Sequence, residues 1–333
     1  MRKTAQRTHA DRLIYLATAH QAMQAIAVSV RIGLFEKLGH RACDGATLAS
    51  MLAINHATLG RFMNALCCVG LVQCRNDCYA LTPFARRYLH PDSPSYLGAL
   101  FVHQASLVNV WSNLKAVLTK GTMQKPSHQR SASYSQQLML YLQAHDCLGK
   151  VKAERIMKRI DIRRYRMMLD LGGGLGTYAV ACARAHKQLI AIVADLPDVV
   201  VHARRYIRNN QVSDRVKAVA RHCLDDPLPK KPYDFILVSN VLHLYRDDDC
   251  MRLILKATRA LVRGGTLVIH DYLFGCGDQA AVGLFDLMML VGTPEGRCYH
   301  KQEVSAWMRA AGIGRIRTAS VMAGTSMVWG IKV

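Results

Sequence analysis

The stretch Met168-Leu169-Asp170-Leu171-Gly172-Gly173-Gly174-Leu175-Gly176-Thr177-Tyr178 constrains this chain more than any other. An apolar run enters a glycine turn, and the small residues Ala179-Val180-Ala181-Cys182-Ala183 carry on as a helix. Glycines let the backbone turn tightly and bring main-chain N–H groups against a ligand at a helix start. Further on, Ala191-Ile192-Val193-Ala194-Asp195 reads as a second strand ending in a carboxylate. Strand, glycine turn, helix, strand and acid in that order form the nucleoside-binding half of a doubly wound α/β sheet. The acid is placed to accept from ribose hydroxyls.

The rest of the C-terminal half extends this pattern. A basic helix is expected over 199–209, and strands over 216–220 and 235–238. The second of these ends at Ser239-Asn240-Val241-Leu242-His243, and strand ends of that kind face the ligand crevice of an open α/β sheet. A helix over 248–261, a strand Thr266 to His270, and strands near 315–319 and 327–333 follow. The alternation predicts a mostly parallel, doubly wound sheet.

The N-terminal part has a different grammar. Apolar residues from Leu13 to Leu38 fall at helical spacing, broken at Gly33. Thr47 is expected to open a short helix, and Asn55 to cap a second one over Ala57 to Val69, ending at Gly70. Two alternating runs, 71–74 and 78–81, flank Asn76-Asp77 as a hairpin. Helix, turn, helix and hairpin make a winged-helix module. Its second helix offers only Arg61 and Asn64 as base readers, so scaffolding or dimerisation is the preferred role over DNA reading. A chain of 333 residues accommodates this arrangement as a winged-helix domain over 1–90, a helical connector over 91–160 with a polar loop at Gly121 to Ser135, and the sheet domain over 161–333.

Composition excludes several classes. The polar, basic start has no signal-peptide core, and His20, Gln21 and Gln24 interrupt the apolar run 13–30, so no membrane span is expected. Eleven scattered cysteines without a secretion signal fit reduced thiols in the cytoplasm. Cys67, Cys68, Cys74 and Cys78 lack the paired spacing of a zinc site, so no metal is expected. The net charge of +21 attracts anionic partners. It keeps open a second reading, a DNA-binding regulator whose sheet domain senses a ligand.

These segments, together with Asp195-Leu196-Pro197, Gly264-Gly265-Thr266-Leu267-Val268-Ile269 and Phe285-Asp286-Leu287-Met288-Met289-Leu290, resemble a known family over residues 13–333. The chain is similar to the S-adenosylmethionine-dependent small-molecule O-methyltransferases of plants and bacteria. These join a winged-helix dimerisation domain to a Rossmann-like catalytic domain. The resemblance implies a cytoplasmic homodimer that uses S-adenosyl-L-methionine and methylates a hydroxyl of an aromatic or polyketide-like molecule. It implies a cofactor set of Asp170, Gly172, Gly174, Gly176, Asp195, Leu196, His222, Cys223 and Ser239. Asp170 and the turn hold the methionine end, Asp195 accepts from the ribose, and Leu196 packs on adenine. His243 falls where the family has its general base and Asp271 where it has the carboxylate that orients that base. Tyr141, His145, Asp286 and Met289 fall beside the acceptor, with Met139, Met288 and Leu290 as further apolar walls.

Three departures stand out. His222 occupies the place of an acid for the adenine amino group, Leu244 that of an aspartate after the base, and Cys298 that of a second acid flanking it. With His145 in place of a methionine, they keep open a methyltransferase-like enzyme doing other chemistry.

Overall fold

Thr8 and Asp11 open the first helix with a reciprocal cap. The Thr8 hydroxyl accepts from the Asp11 N–H at 3.1 Å, and the Asp11 carboxylate accepts from the Thr8 N–H at 2.9 Å. The computed structural model describes residues 8–39, 41–121 and 132–333. Most of the expected polar loop at Gly121 to Ser135 lies outside the described residues. The chain forms two compact units, one of Met1–Val108 with Arg130–Leu148, the other of Asn109–Gln129 with Gly149–Val333. The connector helices divide between them.

The first unit begins with α1 (His9–Arg31), α2 (Leu34–Leu38), β1 (Cys43–Asp44), α3 (Gly45–Leu52) and α4 (His56–Cys68). The hairpin β2 (Val72–Arg75) and β3 (Cys78–Leu81) follows, then α5 (Pro83–Leu89) and α6 (Gly98–Ser106). Asn55 caps α4 as expected, its side chain accepting from the Thr58 N–H at 3.2 Å. Helix α3 starts earlier than Thr47 because Asp44 is its cap, accepting from the Thr47 N–H at 2.9 Å. Leu34, Phe35, Leu48, Leu59, Met63, Leu66 and Leu81 form this unit's core. On α1, the run Leu13, Ile14, Tyr15 and Leu16 stays exposed. By length and composition alone α1 could cross a membrane.

Helices α7 (Val108–Trp111), α8 (Leu114–Lys120) and α9 (Ala132–Met157) lead into the sheet domain. There β4 (Met167–Leu171), α10 (Thr177–Ala185), β5 (Ile190–Asp195), α11 (Pro197–Asn209) and β6 (Val216–Ala220) alternate. They are followed by β7 (Tyr233–Ser239), α12 (Asp247–Ala260), β8 (Leu261–Phe274), α13 (Gln279–Gly292), β9 (Tyr299–His300), α14 (Lys301–Ala310), β10 (Ile313–Met322) and β11 (Thr325–Lys332). The strand order is β10-β11-β8-β7-β4-β5-β6, parallel from β8 to β6, with β11 and β10 antiparallel at one edge.

Both faces are covered, which is why the strands read as continuous apolar runs. Ala179, Val180, Val200 and Ala203 pack on Met168, Val193 and Phe235 on one face. Leu253, Ile254, Val304 and Met308 pack on Leu169, Ile236 and Leu267 on the other. The Asp234 carboxylate fixes the entry of β4, accepting from the N–H groups of Arg166 at 2.7 Å and Met167 at 2.9 Å.

Candidate active site

The parallel strands β4, β5, β7 and β8 end on one edge of the sheet, and the residues that follow them build the site. After β4 the chain turns back at once. The Gly172 N–H donates to the Ala194 carbonyl at 2.8 Å, and Gly172, Gly174 and Gly176 all have positive φ. Two positions show why side chains are excluded here. A Cβ on Gly173 would lie 2.7 Å from Asp170 Cγ, and one on Gly176, whose φ is 83°, would lie 2.9 Å from Val193 Cγ2.

Beneath the turn, Asp170 is fully buried. One oxygen accepts from the Ala179 N–H at 3.2 Å, and Oδ1 has no partner among the described residues. Burial, with the nearby Asp195 carboxylate, pushes the Asp170 carboxyl up to about 7. Asp195, at the end of β5, accepts from the Gly174 N–H and the Leu196 N–H, each at 2.7 Å. Burial raises its carboxyl as well. Neither acid forms an ion pair among the described residues. A fully buried carboxylate with an orphaned oxygen and a half-buried one beside it, under a helix N-terminus, fit a ligand that brings hydroxyls and a positive charge. S-adenosylmethionine brings both.

Leu196 is half exposed beside Asp195, where α11 begins. His222 and Cys223 follow β6. The His222 N–H donates to Asp226 at 2.8 Å, and its Nδ1 lies 2.8 Å from the Asp225 carboxylate, which leaves Nε2 as the free nitrogen of the ring. The buried Cys223 thiol lies 3.3 Å from the Tyr245 hydroxyl. Ser239 is engaged within the protein, its hydroxyl 2.8 Å from His270 Nδ1. Burial, helped by the Lys152 ammonium, holds the His270 ring down to about 3.

His243 sits on a short 3₁₀ turn, Leu242–Leu244, just beyond β7. Its Nδ1 lies 2.6 Å from Asp271 Oδ1, and both side chains are buried. The N–H groups of Tyr272 at 2.8 Å, Leu242 at 3.1 Å and His243 at 3.4 Å also donate to Asp271. The imidazole beside it, together with these donors, holds the Asp271 carboxyl below its ordinary range against the effect of burial. The ring is steadied by Phe285, edge-on at 4.9 Å, which stacks on Tyr272 at 3.7 Å. With Nδ1 turned to Asp271, Nε2 is the nitrogen left to take a proton.

The four residues read as flanking the acceptor divide. Met289 is buried on α13. Asp286, one turn earlier, accepts from the Cys298 N–H at 2.6 Å. Tyr141 and His145 belong to the first unit, where their rings pack at 4.0 Å and His103 approaches both. Among the described residues no group of three or more His, Cys, Asp or Glu is arranged to hold a metal.

Sequence reasoning misses His270 as the partner of Ser239, and it misses Lys152 on α9, whose buried ammonium lies 5.3 Å from the Tyr272 ring. A signal for the second exists: Lys152 stands four residues before the buried Ile156, inside the helix's apolar stripe.

Comparison with known proteins identifies the family. Residues 112–314 match the O-methyltransferase domain model, and 14–91 match the O-methyltransferase dimerisation domain. The chain is 27% identical over 327 residues to the tetracenomycin polyketide synthesis 8-O-methyl transferase of Streptomyces glaucescens, covering 96% of each chain. It is 26% identical over 321 residues to the acetylserotonin O-methyltransferase of Bos taurus, covering 90% of this chain and 91% of the other. Human N-acetylserotonin methyltransferase in complex with SAM has the same fold, with a TM-score of 0.86 at 20% identity over 98% and 99% of the two chains. The N-terminal module is thus a dimerisation domain, which leaves the DNA-reading regulator without support. The chain belongs to the S-adenosylmethionine-dependent O-methyltransferase family.

Proposed function

We propose that the enzyme methylates a hydroxyl of an aromatic or polyketide-like molecule, with His243 as general base and Asp271 holding it. The observation that carries this reading is the buried 2.6 Å contact between His243 Nδ1 and Asp271. Bound S-adenosylmethionine supplies a methyl group already activated on a sulfonium. What is left to the protein is placing the acceptor oxygen in line and removing its proton. A phenol, with a pKa of about 10, is mostly protonated at neutral pH, so an imidazole within reach makes a better nucleophile. Asp271 fixes the tautomer that leaves Nε2 free and offsets the charge the imidazolium acquires.

The cofactor's holders follow from the cradle. Asp170 and the glycine turn face its methionine end, Asp195 its ribose, and Leu196 with His222 and Cys223 its adenine. Through His222 Nε2 a neutral ring accepts one hydrogen bond where a carboxylate would give a charge-assisted one. Asp286 and Met289 are assigned to the acceptor from the sheet domain; the assignment of Tyr141 and His145 rests on the family resemblance alone. The exposed apolar run on α1 fits a homodimer interface in a cytoplasmic enzyme rather than a membrane span.

The acceptor is tested by offering isotopically labelled S-adenosylmethionine with a panel of naphthols, anthraquinones and simple phenols. Labelled ether products are expected. Tight cofactor binding without transfer to any hydroxylated aromatic ends this reading.

The raised carboxyls at the turn give a second, signed prediction. Asp170 is held up at about 7 in the free protein, against about 4 in an unfolded chain. Its contribution to stability is therefore fully present below pH 4 and is lost as pH rises through 7. A bound cation favours the carboxylate and expels the proton. Calorimetric titration at pH 6 should then show proton release, as a binding heat that varies with the buffer's ionisation enthalpy. The cofactor's stabilising effect on Tm should grow between pH 5 and 8. Heats independent of buffer would place the positive charge elsewhere.

A further inference from the structure

We propose that Lys152 is a positioning residue for this reaction, its buried ammonium keeping His243 in the neutral form that can accept a proton. The inference rests on the general-base reading above.

Lys152 is almost wholly buried on α9, and its ammonium makes no hydrogen bond among the described residues. A buried, unpaired ammonium is costly, and a lysine on a helix normally swings its charge out to water. Here the charge stays inside, 5.3 Å from the Tyr272 ring and within electrostatic reach of Asp271. Tyr272 stacks on Phe285, whose edge lies against the His243 ring, so the ammonium and the imidazole flank one aromatic pair. Burial pulls Lys152 down to about 8, with Asp271 opposing the fall, so it remains charged at neutral pH.

The titratable groups that feel the Asp271 charge come from several elements. Besides His243 and Lys152 they are Tyr178 on α10, Cys250 on α12, His270 and Tyr272 on β8, and Cys298 before β9. Burial pushes Cys250 and Tyr272 up to about 12, raises Tyr178 and Cys298, and together with the Lys152 ammonium holds His270 at about 3. All five are neutral at working pH. Asp286 is the other carboxylate nearby, and it faces Cys298.

Charge balance then decides the state of His243. With Lys152 charged and Asp271 ionised, a neutral imidazole leaves the cluster without net charge, and an imidazolium leaves it positive in a medium of low dielectric. Without the ammonium the cluster would be negative and would draw a proton onto the ring. A protonated ring cannot act as the base. Asp271 is already held by four donors, so Lys152 is not needed to keep it in place. Its effect acts through space.

The test is histidine titration followed by NMR in the full-length protein labelled with 13C-histidine, with His243 assigned from a His243→Gln sample. Lys152→Met keeps the volume and removes the charge, and Lys152→Arg restores the charge. The His243 signal in Lys152→Met is expected to titrate about one pH unit higher than in wild type, and to return toward wild type in Lys152→Arg. An unchanged midpoint, or a shift that arginine does not reverse, overturns the proposal. With 1-naphthol as acceptor, the acidic limb of kcat/KM should move by the same amount. A ring that shifts while the rate profile stays fixed supports the role of Lys152 and overturns the general-base reading instead.

Discussion

Replacing His243 by alanine should lower kcat for a protonated phenolic acceptor by about 100- to 10,000-fold, the usual range for a positioned base. Cofactor affinity should stay near wild type, because His243 is assigned no contact with the cofactor. The loss should shrink at high pH, as the acceptor ionises by itself, so the profile of kcat against pH is the deciding measurement. A variant equally slow at pH 10 and pH 7 would point to an orienting rather than a proton-accepting role. Because the side chain is buried, His243→Gln should accompany the alanine variant to separate lost chemistry from the cavity.

The second large effect concerns binding. Asp195→Ala should weaken S-adenosylmethionine by about 100-fold or more, since a carboxylate's hydrogen bonds are worth roughly 1.5–3 kcal/mol each. The same acid accepts from Gly174 and Leu196, so part of the loss comes from a loosened turn. Asp195→Asn retains an acceptor and should fall between wild type and alanine. Calorimetric titration with S-adenosylhomocysteine measures both. Wild-type affinity in the alanine variant would remove Asp195 from the ribose site.

Signals carried by local sequence proved the easiest to read. The glycine turn needs no tertiary context to be recognised, and strands buried on both faces announce themselves as unbroken apolar runs, as Ala191 to Asp195 does. Asn55 is a cap with an apolar helix behind it. What stays hidden depends on partners distant in the chain. The two-residue strand Cys43–Asp44 has no period to detect, and it pairs with Cys78 and Tyr79 across the intervening helices. The role of Asp234 appears only when β4 arrives beside β7. His243 and Asp271 could be paired beforehand only through resemblance to relatives, because neither spacing nor charge links positions so far apart. Ser239 shows the limit of that resemblance: the residue sits where expected, yet its hydroxyl is turned to His270.

Lys256 on α12 has a consequence for the loop that carries His222. Its ammonium donates to the carbonyls of Cys223 and Leu224, each at 2.9 Å, and also to that of Asp226. All three protons are used, so one cation gathers this irregular stretch much as a metal ion gathers its ligands. The loop thereby has a fixed bite. An added or deleted residue between 223 and 226 would break the ring, whereas changes beyond Pro227 leave it closed. Variation that retunes adenine recognition is thus confined to side chains such as His222, next to backbone that a lysine on α12 sets.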